Sequence, residues 1–235
     1  MTKTKLSIVF PAYNEEKNIE KAVSEAVHYA ESFKDYEVVV VDDGSEDQTR
    51  EKIEKLVSKN KKIKGIFHSK NQGYGAAVWD GLKGASGDLV FFTDSDLQFK
   101  IGDLKYLIEK IDVCDVVAGY RRERSEGFGR KLNVFLWQMA LMTLLKIRFK
   151  DIDCAFKLFR KEVLKNLEIK SKGAMFSAEL MYRIQQKGFK ITQVPVDHYK
   201  RKFGKPTGAN IGVVVRALKE LMRFYAETRK ERKAL

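Results

Sequence analysis

The chain has 235 residues, 44% of them hydrophobic, and its formal net charge is +13. This provides core material for one large domain, and no Gly/Ser-rich or Pro-rich stretch indicates a linker between two smaller ones. The two cysteines, Cys114 and Cys154, lie forty residues apart, which excludes a disulfide scaffold and does not suggest a zinc site.

The first half of the chain alternates between predicted strands and helices. Apolar runs at 6–10 and 37–41 are typical of buried strands, and apolar residues recur at helical spacing between Ile19 and Ala30. The order continues with a helix around 53–57, a strand near 66–67, a helix at 76–82, a strand at 89–93, a helix at 104–111 and a strand at 116–118. This alternation predicts an α/β fold with a mostly parallel sheet and helices on both faces.

Polar residues in front of the first two helices are predicted to cap them. Asn14 precedes the first helix, with Glu15 and Glu16 expected in its first turn. Ser45 and Gln48 have the spacing of a capping box in front of the second helix.

The residues that follow the strands are acidic. Glu15 follows the first strand, Asp42 and Asp43 follow the second, and Asp94 and Asp96 follow the fourth. Because ligands of open parallel sheets bind at the carboxyl ends of the strands, these side chains are candidates for one site. A dehydrogenase would have glycines after its first strand, where the diphosphate approaches a helix. Glutamates there repel a diphosphate and favour a nucleoside.

The pair of aspartates after the fourth strand predicts a metal site. Asp94 and Asp96 lie on either side of Ser95, and side chains two residues apart in an extended segment point the same way. The two carboxylates would repel each other unless a cation lay between them. Mg²⁺ or Mn²⁺ suits such ligands and would stabilise a departing nucleoside diphosphate. The alternative is that these aspartates only form a turn.

Five segments together resemble the family 2 inverting glycosyltransferases of GT-A fold. They are Pro11-Ala-Tyr-Asn-Glu-Glu, Val41-Asp-Asp-Gly-Ser, Asn71-Gln-Gly-Tyr-Gly, Ala85-Ser-Gly-Asp and Thr93-Asp-Ser-Asp-Leu-Gln. The resemblance covers roughly residues 5 to 120. It implies that Pro11, Tyr13, Glu15 and Asp42 surround the base and ribose, that Asp94 contacts the nucleotide, and that Asp96 with Gln98 helps to hold the metal.

Beyond residue 120 the chain is similar to the branch of this family that glycosylates polyprenyl phosphates. The matching segments are Ala118-Gly-Tyr-Arg, Asp151-Ile-Asp-Cys-Ala-Phe-Lys, Ser171-Lys-Gly-Ala-Met-Phe, Val194-Pro-Val and Arg201-Lys-Phe-Gly. The branch has a serine and a lysine where this chain has Pro206 and Thr207, and Lys205 is expected to take the place of that lysine.

The resemblance and the residue chemistry together give three sets of site residues. Nucleotide-sugar binding is expected of Pro11, Tyr13, Glu15, Asp42, Asp43, Asp94, Ser95, Lys172 and Arg201, and metal binding of Asp94, Asp96 and Gln98. Acceptor phosphate binding is expected of Arg121, Arg130, Arg201 and Lys205, and catalytic roles of Asp94, Asp96, Arg121, Asp151 and Arg201. An ionised phosphate acceptor needs no strong base, whereas a hydroxyl acceptor would need one, for which Asp151 and Asp153 are candidates.

The expected organisation is a catalytic domain at 1–200, with a nucleotide-sugar half at 1–120 and an acceptor half at 121–200, followed by a basic loop and an amphipathic helix at 201–235. Residues 200–235 contain eleven Lys or Arg and three Glu. This basic segment and an apolar helix at 132–147 predict peripheral attachment to the cytosolic face of a membrane, or to a separate membrane subunit. The alternative for both helices is packing on the domain or in a homo-oligomer. The polar amino terminus favours a cytosolic location.

Two other functions fit the sequence less well. The same fold could transfer sugar to a sugar or protein hydroxyl. A nucleic-acid binder would use the basic segment, but its aromatic residues are not interleaved with the basic ones as a stacking surface requires, so no nucleic acid is expected as a partner.

Overall fold

The computed structural model describes residues 4–122, 128–201 and 211–233. Its strands are β1 (Lys5–Ala12), β2 (Asp35–Asp42), β3 (Ile63–Phe67), β4 (Leu89–Thr93), β5 (Val116–Arg121), β6 (Phe156–Arg160) and β7 (Ile191–Val196). Its helices are α1 (Ile19–Ala30), α2 (Thr49–Lys59), α3 (Tyr74–Gly84), α4 (Leu104–Ile111), α5 (Phe128–Leu145), α6 (Lys161–Leu164), α7 (Phe176–Gln186) and α8 (Ile211–Lys233), with a short 3₁₀ helix at Ile101–Asp103 before α4.

The strands form one sheet in the order β3-β2-β1-β4-β6-β5-β7. β6 is antiparallel to both of its neighbours, and the other neighbouring strands are parallel. The predicted α/β fold with a mostly parallel sheet is therefore confirmed. The reversal of β6 has a consequence for the site: Phe156 pairs with Thr93 at the end of β4, so the turn before β6 reaches the same edge as the carboxyl ends of the parallel strands.

Alternate residues of the strands contribute to two hydrophobic clusters, as expected of a sheet covered on both faces. In β1, Val9 belongs to one cluster and Ile8 and Phe10 belong to the other. Buried residues of α3, α5, α7 and α8 pack in the first cluster, and those of α1, α2 and α4 pack in the second.

The last helix packs on the domain through part of its length. Leu221 and Phe224 of α8 are buried in the first cluster, and the Phe224 ring meets Tyr182 of α7 edge-on at 5.3 Å between ring centroids. Packing against the domain, one of the two alternatives for this helix, therefore holds for this stretch. Within the described residues, no helix has both the length and the apolar character needed to cross a bilayer.

The predicted cap of the first helix is wrong. α1 begins only at Ile19, and Asn14 lies outside it with a φ of 55°. The side-chain oxygen of Asn14 accepts a hydrogen bond from the backbone N–H of Glu46 at 2.8 Å. The backbone N–H of Asn14 donates to the Ser45 hydroxyl at 3.0 Å. Asn14 therefore joins the loop after β1 to the loop after β2 instead of capping a helix.

The predicted capping box of the second helix is also wrong. Gln48 precedes α2 but makes no capping hydrogen bond with its side chain. Asp47 instead accepts a hydrogen bond from the backbone N–H of Thr49, the first residue of α2, at 2.9 Å. The side chain of Asp47 is shorter than that of Gln48 and reaches this free amide.

Candidate functional site

A cavity of about 510 Å³ opens at the carboxyl ends of β1, β2 and β4, and we refer to it as the strand-end cavity. Its lining residues are Pro11, Ala12, Tyr13, Asn14, Glu15, Asp43, Asn71, Tyr74, Ala77, Asp94, Ser95, Asp96 and Arg201. Eight of the predicted site residues are thus brought together: Pro11, Tyr13, Glu15, Asp43, Asp94, Ser95, Asp96 and Arg201. They come from loops far apart in the chain, and the parallel sheet aligns their strand ends.

The two aspartates after β4 both face this cavity, as predicted from their spacing. Burial raises the pKa of both carboxyl groups, and the charge of Asp96 raises the pKa of Asp94 further. Tyr74, which also lines the cavity, opposes this rise in the pKa of Asp94. The hydroxyl of Ser95, which lies between them, donates to the Pro11 carbonyl at 2.9 Å and so ties the end of β4 to the end of β1.

Several buried polar atoms near the strand ends have no hydrogen-bond partner among the described residues. They include Asp94 Oδ1, Thr93 Oγ1 and Asp42 Oδ2. An unsatisfied buried polar atom costs roughly 1–3 kcal/mol, so such atoms at a cavity are candidates for pairing with a ligand.

Arg201 enters the cavity from the segment after β7 and contacts two carboxylates. Its Nη2 bonds Glu15 Oε1, and its Nη1 lies 3.7 Å from Asp96 Oδ2. The other Glu15 oxygen accepts a hydrogen bond from Asn18 at 2.7 Å. Burial raises the pKa of Glu15, while Asn18 and Arg201 oppose that shift.

The two aspartates at the end of β2 have different surroundings. Asp42 is fully buried and does not line the cavity, and its Oδ1 accepts the Ser45 N–H at 3.2 Å. Asp43 does line it, but its carboxylate accepts the backbone N–H groups of Gln72 and Gly73 at 2.8 and 2.9 Å. Asp43 thus shapes the loop at 71–73, and nucleotide binding by either aspartate stays a prediction.

His68 is a residue of this region that the sequence did not single out. It is 6% exposed, and its ring nitrogens lie 2.7 Å from Asp43 Oδ1 and 3.2 Å from Asp80 Oδ2. No local motif marks it, because its two partners lie on other elements of the chain.

Gln98, predicted to help hold a metal, is bonded to the segment that leads to Arg201. Its side-chain amide donates to the Tyr199 carbonyl at 2.9 Å, and the Tyr199 N–H donates to the Gln98 carbonyl at 2.8 Å. The Gln98 backbone N–H also donates to Asp96 Oδ1 at 3.0 Å, so Gln98 orients that carboxylate. Metal ligation by Gln98 stays a prediction.

Arg121 and Asp151, both predicted to be catalytic, pair with each other. The Arg121 Nε and Nη2 lie 2.6 and 2.9 Å from the two carboxylate oxygens of Asp151, which is 3% exposed. Neither lines the strand-end cavity. The pair joins the end of β5 to the turn before β6, and its roles in catalysis and acceptor binding stay predictions.

Lys157, in β6, was not predicted as a functional candidate, although it is the last residue of the segment Asp151-Ile-Asp-Cys-Ala-Phe-Lys. Its side chain is fully buried, and its ammonium donates to the carbonyls of Ile152, at 2.9 Å, and Cys154. Burial lowers the pKa of Lys157, while nearby acidic groups, including Asp151 and Asp94, oppose that shift. A lysine within the apolar run Phe-Lys-Leu-Phe was the signal that could have identified it.

The remaining predicted site residues lie elsewhere. The side chain of Lys172 lines a second cavity of about 350 Å³, between the loop at 170–173 and α8. Lys205 and the side chain of Arg130 lie outside the part of the chain that is described. His198, which precedes the expected basic loop, packs edge-on against Phe99 at 5.0 Å between ring centroids.

The sequence and the fold of the chain both match those of known proteins. The model of the family described as Glycosyl transferase family 2 matches residues 7–168. Dolichol-phosphate mannosyltransferase from Pyrococcus furiosus is 34% identical over 233 residues, which cover 95% of this chain and 65% of that protein. Dolichyl-phosphate beta-glucosyltransferase ALG5A from Trichomonas vaginalis is 30% identical over 210 residues, which cover 82% of this chain and 65% of that protein. The chain thus spans 65% of the length of each of these two curated relatives.

A solved structure shares the fold. Glucosyl-3-phosphoglycerate synthase from Mycobacterium tuberculosis, in complex with Mn²⁺, uridine-diphosphate and phosphoglyceric acid, superposes with a TM-score of 0.75 at 20% identity. The match covers 94% of this chain and 78% of that one.

Proposed function

The chain belongs to glycosyltransferase family 2, and from this premise we propose that it transfers a hexose from a UDP- or GDP-linked sugar to a polyprenyl phosphate. Its fold is GT-A, which is also the fold of its structural neighbours. The observation that carries the proposal is the gathering of Glu15, Asp94, Asp96 and Arg201 around one cavity at the strand ends. The two curated relatives named for dolichol or dolichyl phosphate support the choice of acceptor.

The strand-end cavity suits the nucleotide sugar. Its volume of about 510 Å³ lies within the usual range of ligand sites. Pro11, Tyr13 and Glu15, on the β1 side, would border the base and ribose. Arg201 would donate to the phosphate oxygens, since a guanidinium grips phosphate through two donors.

The aspartates after β4 suit a divalent cation. Asp94 Oδ1 is buried without a partner among the described residues, and burial raises the pKa of both Asp94 and Asp96, so a bound cation would favour their ionised forms. No group of three or more His, Cys, Asp or Glu within the described ranges could hold a metal alone. Two carboxylates are enough for Mg²⁺ or Mn²⁺, which keep several waters and take phosphate oxygens from the substrate.

The bound cation would act as a Lewis acid and stabilise the departing nucleoside diphosphate. Asp94 and Asp96 would hold it, with Gln98 orienting Asp96 through its backbone N–H. The Mn²⁺ and uridine-diphosphate present together in the Mycobacterium tuberculosis enzyme support this assignment.

The acceptor phosphate would be the nucleophile. One of its oxygens forms a bond to the anomeric carbon as the bond to the nucleoside diphosphate breaks, and the leaving group keeps the electron pair. Attack from the face opposite the leaving group inverts the configuration. Since the phosphate is already ionised, no protein base is required. Arg121, oriented by Asp151, would attract the acceptor, together with Arg130 and Lys205.

The reaction would take place at the cytosolic face of a membrane. Leu136, Met139 and Met142 of α5 are 56%, 39% and 37% exposed, and residues 200–235 carry eleven basic side chains. Apolar side chains next to basic segments favour peripheral attachment to anionic lipid, directly or beside a separate membrane subunit.

A hydroxyl acceptor is the second candidate. Asp153 is exposed and lies in the turn before β6, which reaches the same edge of the sheet as the strand-end cavity. A carboxylate in that position could act as the base that a hydroxyl needs.

Product analysis distinguishes the two acceptors. The full chain is incubated with Mn²⁺ and with labelled UDP-glucose or GDP-mannose. The acceptor is either a polyprenyl phosphate or a panel of sugars and peptides that offer hydroxyl groups. The expected product is a labelled lipid phosphodiester whose anomeric configuration, measured by NMR, is opposite to that of the donor. Transfer only to hydroxyl acceptors would contradict the proposal.

A further inference from the structure

Glu179 on α7 is a fully buried carboxylate that the proposed reaction does not use. It accepts hydrogen bonds from the backbone N–H groups of Lys170 and Ser171 at 3.2 and 2.8 Å, and from Arg183 Nε at 3.0 Å. A buried charge is tolerated only when it is paired and hydrogen-bonded, so these contacts are strongly favoured. Glu179 therefore fixes two consecutive amides of the loop at 170–173.

This loop packs directly on the start of α3. The Lys172 carbonyl accepts the Gly75 N–H at 2.9 Å. A Cβ added at Gly73 would lie 2.6 Å from that carbonyl oxygen, and one added at Gly75 would lie 2.6 Å from Phe176 Cβ. Because both approaches are closer than a side chain allows, a small shift of the loop would move the first turn of α3.

The first turn of α3 reaches the strand-end cavity through Tyr74, which lies between these two glycines. Tyr74 lines the cavity together with Asp94 and Asp96. The position of the Tyr74 side chain in the cavity thus depends on where α3 begins.

We propose that Glu179 is a positioning residue of the strand-end cavity, which holds the loop at 170–173 against α3 and so places Tyr74 in the cavity beside Asp94. The inference rests on the proposed function only in taking the ligand of the cavity to be a nucleotide sugar. Glu179 itself does not line that cavity.

The test compares two substitutions of buried glutamates. Glu179→Gln keeps the shape but replaces one acceptor oxygen with a donor that faces the loop amides. Glu37→Gln is the matched control, because Glu37 is 2% exposed and also accepts a backbone N–H, from Ser86, but it lies away from the strand-end cavity. Both substitutions are expected to lower the melting temperature. Only Glu179→Gln is expected to raise the Kd and KM for the nucleotide sugar, about tenfold, with a smaller change in kcat.

Tyr74→Phe completes a double-mutant cycle. If Glu179 acts through Tyr74, the effects of Glu179→Gln and Tyr74→Phe on donor Kd are less than additive. Should Glu179→Gln fail to fold, Glu179→Asp replaces it in the test. This variant keeps the negative charge on a side chain that is shorter by one methylene, and it is expected to raise the donor Kd by a smaller factor. A donor Kd that stays at the wild-type value while the melting temperature falls as in Glu37→Gln would overturn the inference.

Hydrogen exchange measures the positioning without a ligand. The amides of Ser171 and Gly75 are expected to exchange faster in Glu179→Gln than in the wild type, and at the wild-type rate in Glu37→Gln. If the wild type bound no nucleotide sugar, the proposed function would fail, while these amides would still decide the role of Glu179. Unchanged exchange at both amides would count against it.

Discussion

Two buried carboxylates of this chain have pKa values shifted in opposite directions. Burial alone would raise the pKa of Glu37, but hydrogen bonds from Lys64, Ser7 and Ser86 outweigh burial and bring the pKa down to about 2. Asp94 keeps one oxygen without a partner among the described residues, and burial raises its pKa. Full pairing is typical of a structural carboxylate, and incomplete pairing beside a cavity is typical of a binding site.

The lowered pKa of Glu37 predicts a pH-dependent contribution to stability. The folded pKa is about 2 and the ordinary value is 4.5, so the contribution is complete above pH 4.5 and is lost as the pH falls towards 2. Glu37→Gln should therefore be less stable than the wild type at neutral pH, and the difference should shrink through this acidic range. Urea unfolding of both proteins at a series of pH values measures it, and a difference that does not vary with pH would show that the charge of Glu37 is not the cause.

At the same scale, the sequence predicted which residue types gather at the site but not how they pair. The strand-end rule placed Glu15, Asp94 and Asp96 together, because strand positions can be read from apolar runs. The engagement of Asp43 with backbone amides, and the pairing of Arg121 with Asp151, depend on loops whose paths no local pattern specifies.

At the scale of elements, the first five strands were predicted and β6, β7 and α7 were not. β6 is five residues long and has Lys157 as its second residue, so it does not read as an apolar run. β7 contains Pro195, which argues against a central strand but is tolerated because β7 lies at the edge of the sheet. All three of these elements lie in the second half of the chain, where the regular alternation of strand and helix ends.

The exposed apolar side of α5 predicts membrane binding. Replacing Leu136, Met139 and Met142 with glutamine should weaken binding to phosphatidylglycerol vesicles by more than tenfold, since burying each such side chain contributes about 1.5–3 kcal/mol. Vesicle sedimentation measures the effect. Val113→Gln is the control, because Val113 is 74% exposed but lies just after α4. Equal vesicle binding by the triple variant and the wild type would rule out a lipid contact through α5.

At the scale of the whole molecule, one sheet gathers groups from distant parts of the chain. Parallel strands bring the ends of β1, β2 and β4 to one edge, and the antiparallel β6 returns the turn that carries Asp151 to that edge. Arg201, after the last strand, closes the same cavity against Glu15. The fold class followed from the alternation of elements, and the resemblance assigned Arg201 to the site, but the reversal of β6 is a tertiary fact without a sequence signal.

Metal-dependent binding of the nucleotide sugar tests the central claim most directly. Calorimetric titration of UDP-glucose and GDP-mannose, with and without Mn²⁺, is carried out on the wild type, Asp96→Asn and Asp112→Asn, the last being an exposed aspartate at the end of α4. We predict that Mn²⁺ tightens the binding of one of the two donors to the wild type and to Asp112→Asn, and that Asp96→Asn loses this gain. Binding that ignores Mn²⁺, or an equal gain in Asp96→Asn, would contradict the account.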